Sequence, residues 1–389
     1  MKAQSPERYL VHLALISAEV FFGLGGVVGA LSLPATHPLK FALHRELWAG
    51  LVLLGISAYF QGKKDARSKD DAKPPLTTTS SNTTQWRRFV LLGFILFGIQ
   101  SGFIVGLKMA GPLTASVWMP TKPIFTAAIS MTLGWEPVRQ KRIVGIGLAF
   151  VGCVAMVAAK KTKVDNSGNL QDVSADINLY LVGIMFLFCN VVCAPLYVTL
   201  SKSVLKLYPA VTITAWAYTF AVPFMLVANL IASIWPGLDE LLCPECPTND
   251  GLLHVPSGAI PALLYYIFFA SVGAYGLLTW ANQHATSTLV MGYTVLQPVT
   301  SAFLITCLLL FGWVPECTKL SADAKDHACL DYPTAGTLWG MIGVFGGLAM
   351  IISTEPKQRQ AEDTAQVETM PFRDSQNSLE VTDYNSLSS

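Results

Sequence analysis

Trp118 to Ala127 reads W-M-P-T-K-P-I-F-T-A, and the rest of the chain is read outward from it. The stretch lies inside an apolar run long enough to cross a bilayer, yet it carries Lys122 with Pro120 and Pro123 on either side. An amine at bilayer depth is costly, and residues bearing that cost face a cavity, a partner or a substrate path. Proline lacks an N–H donor and bends a helix, which frees neighbouring carbonyls. A second copy follows as Y-T-V-L-Q-P-V-T-S-A, Tyr293 to Ala302. There Gln297 stands where Lys122 stood, and Pro298 where Pro123 stood. The chain reads as two related halves that meet around these segments.

Composition sets the class. The 389 residues are 52% hydrophobic and only 13% charged, against about 25% charged in soluble domains. So few charges cannot cover a soluble surface of this size, and the chain reads as a polytopic membrane protein. The first apolar run is too long for a cleaved signal peptide and lacks its small-residue site, so it reads as a retained helix. Ten runs have the length of about 20 residues that a hydrocarbon core demands. They are Tyr9–Leu33, Pro38–Phe60, Phe89–Leu107, Pro112–Leu133, Ile143–Ala159, Asn178–Lys202, Pro209–Trp235, Gly258–Asn282, Thr288–Trp313 and Thr334–Thr354.

An odd number of spans per half means that homologous halves are inverted relative to each other, with a site at the midplane between them. The expected fold is an all-α membrane protein of ten transmembrane helices in two inverted five-helix repeats, residues 9–159 and 178–354. A flexible, polar and acidic cytoplasmic tail, residues 355–389, follows. Further anchors tie the halves together. Pro38 aligns with Pro209, Gly134-Trp135 with Gly312-Trp313, and Gly145 and Gly152 with Gly340 and Gly347. Small residues at such spacing let helices approach closely, so these glycines read as packing.

With the N-terminus in the cytoplasm, 17 lysines and arginines fall on the cytoplasmic side and 7 outside, with Arg45 and Lys122 inside helices. The positive-inside rule then places both termini in the cytoplasm, outvoting the contrary cluster Lys160–Lys163. Cys153, Cys189, Cys193 and Cys307 fall in helices as small apolar fillers. Cys243, Cys246, Cys317 and Cys329 fall in two outer loops, where disulfides persist. Three pairings are open, a link between the loops being favoured, and zinc held by the C-P-E-C spacing is the alternative. Tyr384-Asn385-Ser386-Leu387 has the form of a tyrosine-based sorting signal for a cytoplasmic adaptor.

A rise of 1.5 Å per residue gives depth. Glu19, Gln100, Lys122, Asn190 and Gln297 all fall about 14–18 Å into their helices, near one plane. The repeat pairs Glu19 with Asn190 and Lys122 with Gln297. A central binding site needs polar groups so arranged. The candidate solute contacts are Lys122, Gln297, Gln100 and Asn190, with Trp118 and Tyr293 as aromatic walls. Glu19 is the candidate proton carrier, its proton affinity balanced between desolvation and a nearby cation. The opposing reading makes Glu19 and Lys122 a structural ion pair and the amides interhelical hydrogen bonds. Arg45 reads as pairing with Glu46 or snorkelling. His12 and His284 read as an interfacial and a loop histidine.

Three stretches carry a family resemblance. F-A-L-H-R-E-L-W-A-G (Phe41 to Gly50), P-I-F-T-A-A-I-S-M-T-L-G-W-E (Pro123 to Glu136) and G-I-G-L-A-F-V-G (Gly145 to Gly152) resemble the second, fourth and fifth helices of EamA-type proteins of the drug/metabolite transporter superfamily. Tyr208-Pro209 and T-W-A-N-Q-H-A-T (Thr279 to Thr286) are similar to the plant walls-are-thin branch. The likeness runs from Tyr9 to Ser353; Glu316 lies too far along to match Glu136. It implies secondary active transport of a small polar or amphipathic metabolite such as an amino acid, a purine or an auxin-like acid. The sequence has no G-x-x-x-x-G-K-[ST], so a gradient supplies the energy. It has no H-E-x-x-H and no G-x-S-x-G, and neither an enzyme, a cofactor nor a nucleic-acid partner is expected. The partners expected are the solute and the lipid of a plasma membrane, endomembrane or vacuole. A non-transporting receptor or scaffold, or a Schiff-base protein using Lys122, is the alternative.

Epitope tags at the two ends test the orientation. For protein at the plasma membrane, both tags should be reached by antibody only after permeabilisation. A tag labelled on intact cells removes the assignment.

Overall fold

The computed structural model describes residues 8–32, 36–67, 82–133, 140–161, 173–235, 237–238, 242–243, 254–316, 332, 339–340 and 342–353. Cys246, Cys317, Cys329, Glu136, the tail 355–389 and its sorting signal lie outside them. The helices are α1 (Arg8–Ser32), α2 (Pro38–Arg67), α3 (Asn82–Trp118), α4 (Lys122–Thr132), α5 (Gln140–Lys161), α6 (Val173–Leu205) and α7 (Ala210–Ile234). Then come α8 (Ile260–Tyr265), α9 (Gly276–His284), α10 (Ser287–Gly292), α11 (Gln297–Leu310) and α12 (Ile342–Ser353). A π-helical segment, Tyr266–Tyr275, fuses α8 to α9.

Seven spans among the described residues are long and apolar enough to cross a membrane: Tyr9–Gly29, Pro38–Gln61, Trp86–Ala110, Tyr180–Leu205, Ala210–Ile234, Ser257–His284 and Ser287–Leu310. Helix is the solution because hydrocarbon offers the backbone no hydrogen-bond partners. The surface follows the same logic. Ile16, Phe94, Phe188, Val227, Phe268 and Phe303 are exposed, as lipid requires, while Glu19, Arg45, Glu46, Gln100, Lys122 and Asn190 are buried. The polarity of a soluble protein is inverted.

The expected boundary between Phe89–Leu107 and Pro112–Leu133 has a form the sequence did not suggest. Helical backbone continues from Asn82 to Trp118. Yet Gln100 and Lys122 line one cavity, although 22 residues of straight helix would set them about 33 Å apart. The packing partners explain this. Along α3, Gly98 meets Cys193, Gly102 meets Asn190 and Gly106 meets Leu187. Trp118 and Phe125 then return to Phe188. The chain therefore doubles back between Ala110 and Trp118, and both limbs pack on α6.

Small residues set the closest helix contacts. A Cβ on Gly145 would lie 2.9 Å from the Gly347 carbonyl, and one on Gly152 would lie 2.6 Å from that of Gly340. The sequence aligns Gly145 with Gly340 and Gly152 with Gly347, but in space the pairs are crossed.

Gly102 gives a direct test of this packing. A Cβ there would lie 2.6 Å from the Phe186 carbonyl and 2.9 Å from the Asn190 nitrogen, both backbone atoms that cannot turn aside. Gly102→Ala should cost about 1–3 kcal/mol through overpacking, read as a lower melting temperature in detergent. Gly147→Ala, where nothing lies within 4 Å, should not.

Candidate functional site

The two proline segments build the same local device. Met119–Thr121 is a turn of 3-10 helix, and α4 starts directly after it at Lys122, with Pro123 in its first turn. Tyr293–Leu296 is likewise 3-10 helix, and α11 starts at Gln297, with Pro298 in its first turn. Proline suits that position, where its missing N–H has no intrahelical partner to lose. The tighter turn interrupts two helical runs and aims Lys122 and Gln297 at the same interior. The expected span Thr288–Trp313 is thus broken in the middle rather than bent.

That interior is a partly open cavity. Glu19, Gln100, Lys122, Asn190 and Gln297 all contribute to its wall, as do Arg45, Thr294 and Tyr275. Phe22, Phe103 and Leu278 supply an apolar side. Glu19 is fully buried on α1. Gln297 Nε2 donates to Glu19 Oε2 at 2.6 Å, and Glu19 Oε1 has no hydrogen-bond partner among the described residues. Lys122 is buried, and its ammonium makes no hydrogen bond or ion pair with a described residue. Asn190 Nδ2 donates to the Ile99 carbonyl at 2.8 Å, leaving its Oδ1 without a partner. Gln100 Nε2 donates to Tyr218 Oη at 2.9 Å.

Trp118 and Tyr293 do not line the cavity. Trp118 packs edge-on against Phe188, ring centroids 6.0 Å apart. Tyr293 Oη lies 2.6 Å from His12 Nδ1, and this contact joins α1 to the turn before α11. His12 is therefore a tertiary contact rather than merely an interfacial residue.

Arg45 differs most from its sequence reading. It neither pairs with Glu46 nor snorkels. Its Nε donates to Ser271 Oγ at 2.8 Å, its guanidinium lies 4.8 Å from the Tyr266 ring centroid, and it lines the cavity. Ser271 and Tyr266 both belong to the π-helical segment, a rare form that is frequent at functional sites. The signal available in the sequence was the Arg45-Glu46 pair itself, about 10 Å into α2. Cys243 is disulfide-bonded, which removes it from the zinc reading; its partner lies outside the described residues.

Residues 10–158 match the EamA-like transporter family. This stretch is an EamA domain, of the kind found in the drug/metabolite transporter superfamily. It is similar to the uncharacterized transporter YyaM of Bacillus subtilis, 22% identical over 70% of this chain and 76% of that protein. An uncharacterized transporter of Archaeoglobus fulgidus is 22% identical over 75% of this chain and 86% of its own. A WAT1-related protein of Arabidopsis thaliana is 24% identical over 92% of this chain and 89% of its own, which supports the plant branch. One solved crystal structure matches the fold with a TM-score of 0.56 at 16% identity, covering 91% of this chain and 98% of the other. This EamA-type protein is an integral multi-pass membrane transporter and not an enzyme.

Removing the donor to Glu19 tests the central contact. Gln297→Leu leaves a buried carboxyl without its hydrogen bond, a loss of roughly 1–3 kcal/mol. Gln297→Lys places a donor there again, as the first repeat does at Lys122. The leucine variant should melt lower in detergent, and the lysine variant should recover most of the difference.

Proposed function

We propose that this EamA-type chain is a secondary active transporter of a small metabolite carrying an anionic or zwitterionic group. Arg45 and Lys122 bind the anionic group. Gln100, Asn190 and Gln297 orient the solute, and Glu19 carries a coupled proton. One observation carries the reading: two buried cations and one carboxyl face a common cavity, and although the Glu19 charge is felt at Lys122, neither cation makes a hydrogen bond or ion-pair contact with that carboxyl among the described residues. Two cations against one acid favour a solute that brings negative charge. The Phe22 and Phe103 side suits its apolar part.

The architecture behind this reading is ten helices in two inverted five-helix repeats, working by alternating access. The paired 3-10 turns and the crossed glycine contacts of α5 and α12 support it. The hydrogen bonds suggest how the moving parts divide. Tyr265, Tyr266 and Ser301 bond to backbone carbonyls of α1, so α1 travels with α8 and α11. Asn190 and Gln100 tie α3 to α6 and α7, and Ser57 meets Thr212 between α2 and α7. Rocking of one group against the other opens the cavity to each side in turn. Both termini are cytoplasmic in this scheme, and the host membrane is the plasma membrane or an endomembrane.

The alternative, a receptor or scaffold held by a structural ion pair, has less support. Glu19 and Lys122 make no ion pair, and the donor to Glu19 is an amide.

Uptake into proteoliposomes tests the reading with labelled phenylalanine, glutamate, adenine and an indole carboxylate at two pH values. Wild type should accumulate at least one of them in response to a proton gradient. Lys122→Ala and Glu19→Gln should each abolish coupled uptake while melting near wild type. Residues that share an interaction are not additive, so the double variant should lose far less than the sum. Lys122→Gln should be the milder change, since the second repeat holds glutamine there. The scaffold reading expects the reverse: low expression in each single variant and recovery in the double.

A further inference from the structure

Glu46 is a second fully buried carboxyl, and the cycle described above does not use it. Neither of its oxygens has a hydrogen-bond partner among the described residues. Its place on α2 explains why. Leu39, Gly50 and Ser57 meet α7, at Asn229, Tyr218 and Thr212. Glu46 is seven residues after Leu39 and four before Gly50, so helical periodicity sets it on that same face. The polar groups of α7 nearby are already committed. Asn229 donates to the Leu39 and Met225 carbonyls, and Thr219 to Ala215.

The groups that bear on Glu46 are few. On α2, the electrostatic partner is Arg45. From α7 comes Tyr218, and from the π-helical segment Tyr275; both feel the Glu46 charge. From α3 comes Gln100, whose amide is bonded to Tyr218. Arg45 is turned away toward Ser271 and Tyr266. The Arg45 charge offsets part of the cost of desolvating a carboxylate there, but no donor among the described residues offsets the rest, whereas a carboxylic acid bears little of it.

We propose that Glu46 is a second proton site of the transport cycle, and that Arg45 is the arm that loads and empties it. With Arg45 extended to Ser271 and the solute, Glu46 keeps its O–H bond. When the solute leaves and Arg45 swings back, the carboxylate is paired, the O–H bond breaks and the proton passes to water on the open side. When Arg45 next leaves for an incoming solute, the carboxylate takes a proton from water on the side then open, so that one anionic group crosses with the Glu46 proton in addition to the one Glu19 carries. The inference rests on the transport reading, with Arg45 as the solute contact.

The test compares wild type, Glu46→Gln and Glu19→Gln in proteoliposomes, using labelled phenylalanine or the indole carboxylate, whichever wild type accumulates. Glu46→Gln should keep solute exchange between the two sides at zero gradient. Its gradient-driven accumulation should fall to the level of a gradient-free control. Infrared spectra of the purified full chain in lipid nanodiscs should show a protonated carboxyl band that is lost in Glu46→Gln and kept in Glu19→Gln. Glu46→Met carries the same expectations if the glutamine variant does not reach the membrane. Normal gradient-driven accumulation in the variant, or a carboxyl band unchanged by it, overturns the proposal. So does failure of both variants to fold, which makes Glu46 structural only. Absence of uptake by wild type for every solute is a different result: it removes the transport reading itself.

Discussion

The buried carboxyl of Glu19 takes its hydrogen-bond donor from Gln297, on a helix far along the chain. Much of the surrounding geometry serves this one contact. Gln297 reaches Glu19 because α11 begins there, and α11 begins there because a 3-10 turn and Pro298 end the preceding helix. α1 must also lie close to α11. Gly23 permits that approach: a Cβ there would collide with Thr300 and come within 2.9 Å of the Gln297 carbonyl. Ser301 then closes the contact by donating to the Gly23 carbonyl at 2.8 Å. A hydrogen bond, a helix start and a missing side chain are three parts of one constraint.

The two proline segments show how repetition and function part company. Their backbones are alike, each a 3-10 turn that delivers the first residue of a helix to the cavity. Their chemistry differs at that residue, a cation in one and an amide in the other. The amide holds Glu19, and the cation is left for something else. A charge at the centre of a bilayer costs about 2.5–3.5 kcal/mol even on insertion scales. Neutralising Lys122 with Glu19 would recover part of that and leave the cavity without an electrostatic preference. On the proposed reading, this asymmetry is what would let two similar backbone turns serve a site that distinguishes solutes.

The sequence made some of this legible for physical reasons. Hydrocarbon thickness dictates run length, so the seven crossing spans match apolar runs visible in the composition. A constant rise per residue dictates depth, so Glu19, Gln100, Lys122, Asn190 and Gln297 reach one cavity wall from five different stretches. Direction around the helix axis was less legible, because 3-10 and π turns shift it. Trp118 and Tyr293 are at the right depth but face Phe188 and His12. The π-helical segment has no marker in Y-I-F-F-A-S-V-G-A-Y, an apolar run that would serve equally as α-helix. Arg45 was misplaced for that reason: its partner Ser271 and its ring, Tyr266, lie on a segment whose winding could not be foreseen.

The same hydrogen bonds that build the cavity also limit how it opens. α1 is stitched to α8 and α11, and α3 to α6 and α7, so the natural division runs across the two sequence halves. Few side-chain bonds cross between the two groups. Arg45 to Ser271 crosses at the cavity, and Asn282 to the Val198 carbonyl and Ser201 crosses farther along α6. A rocking motion has to break or relay at least one of them. The Asn282 bonds join an amide to a carbonyl and a hydroxyl, which the membrane interior leaves with no substitute partner. Arg45 is different, because a solute with an anionic group offers its guanidinium a better acceptor than a serine hydroxyl. In the proposed cycle, occupancy of the site would loosen this cross-link, which lies beside the longer Thr294 contact to the Met119 carbonyl, and would so couple binding to motion as alternating access requires.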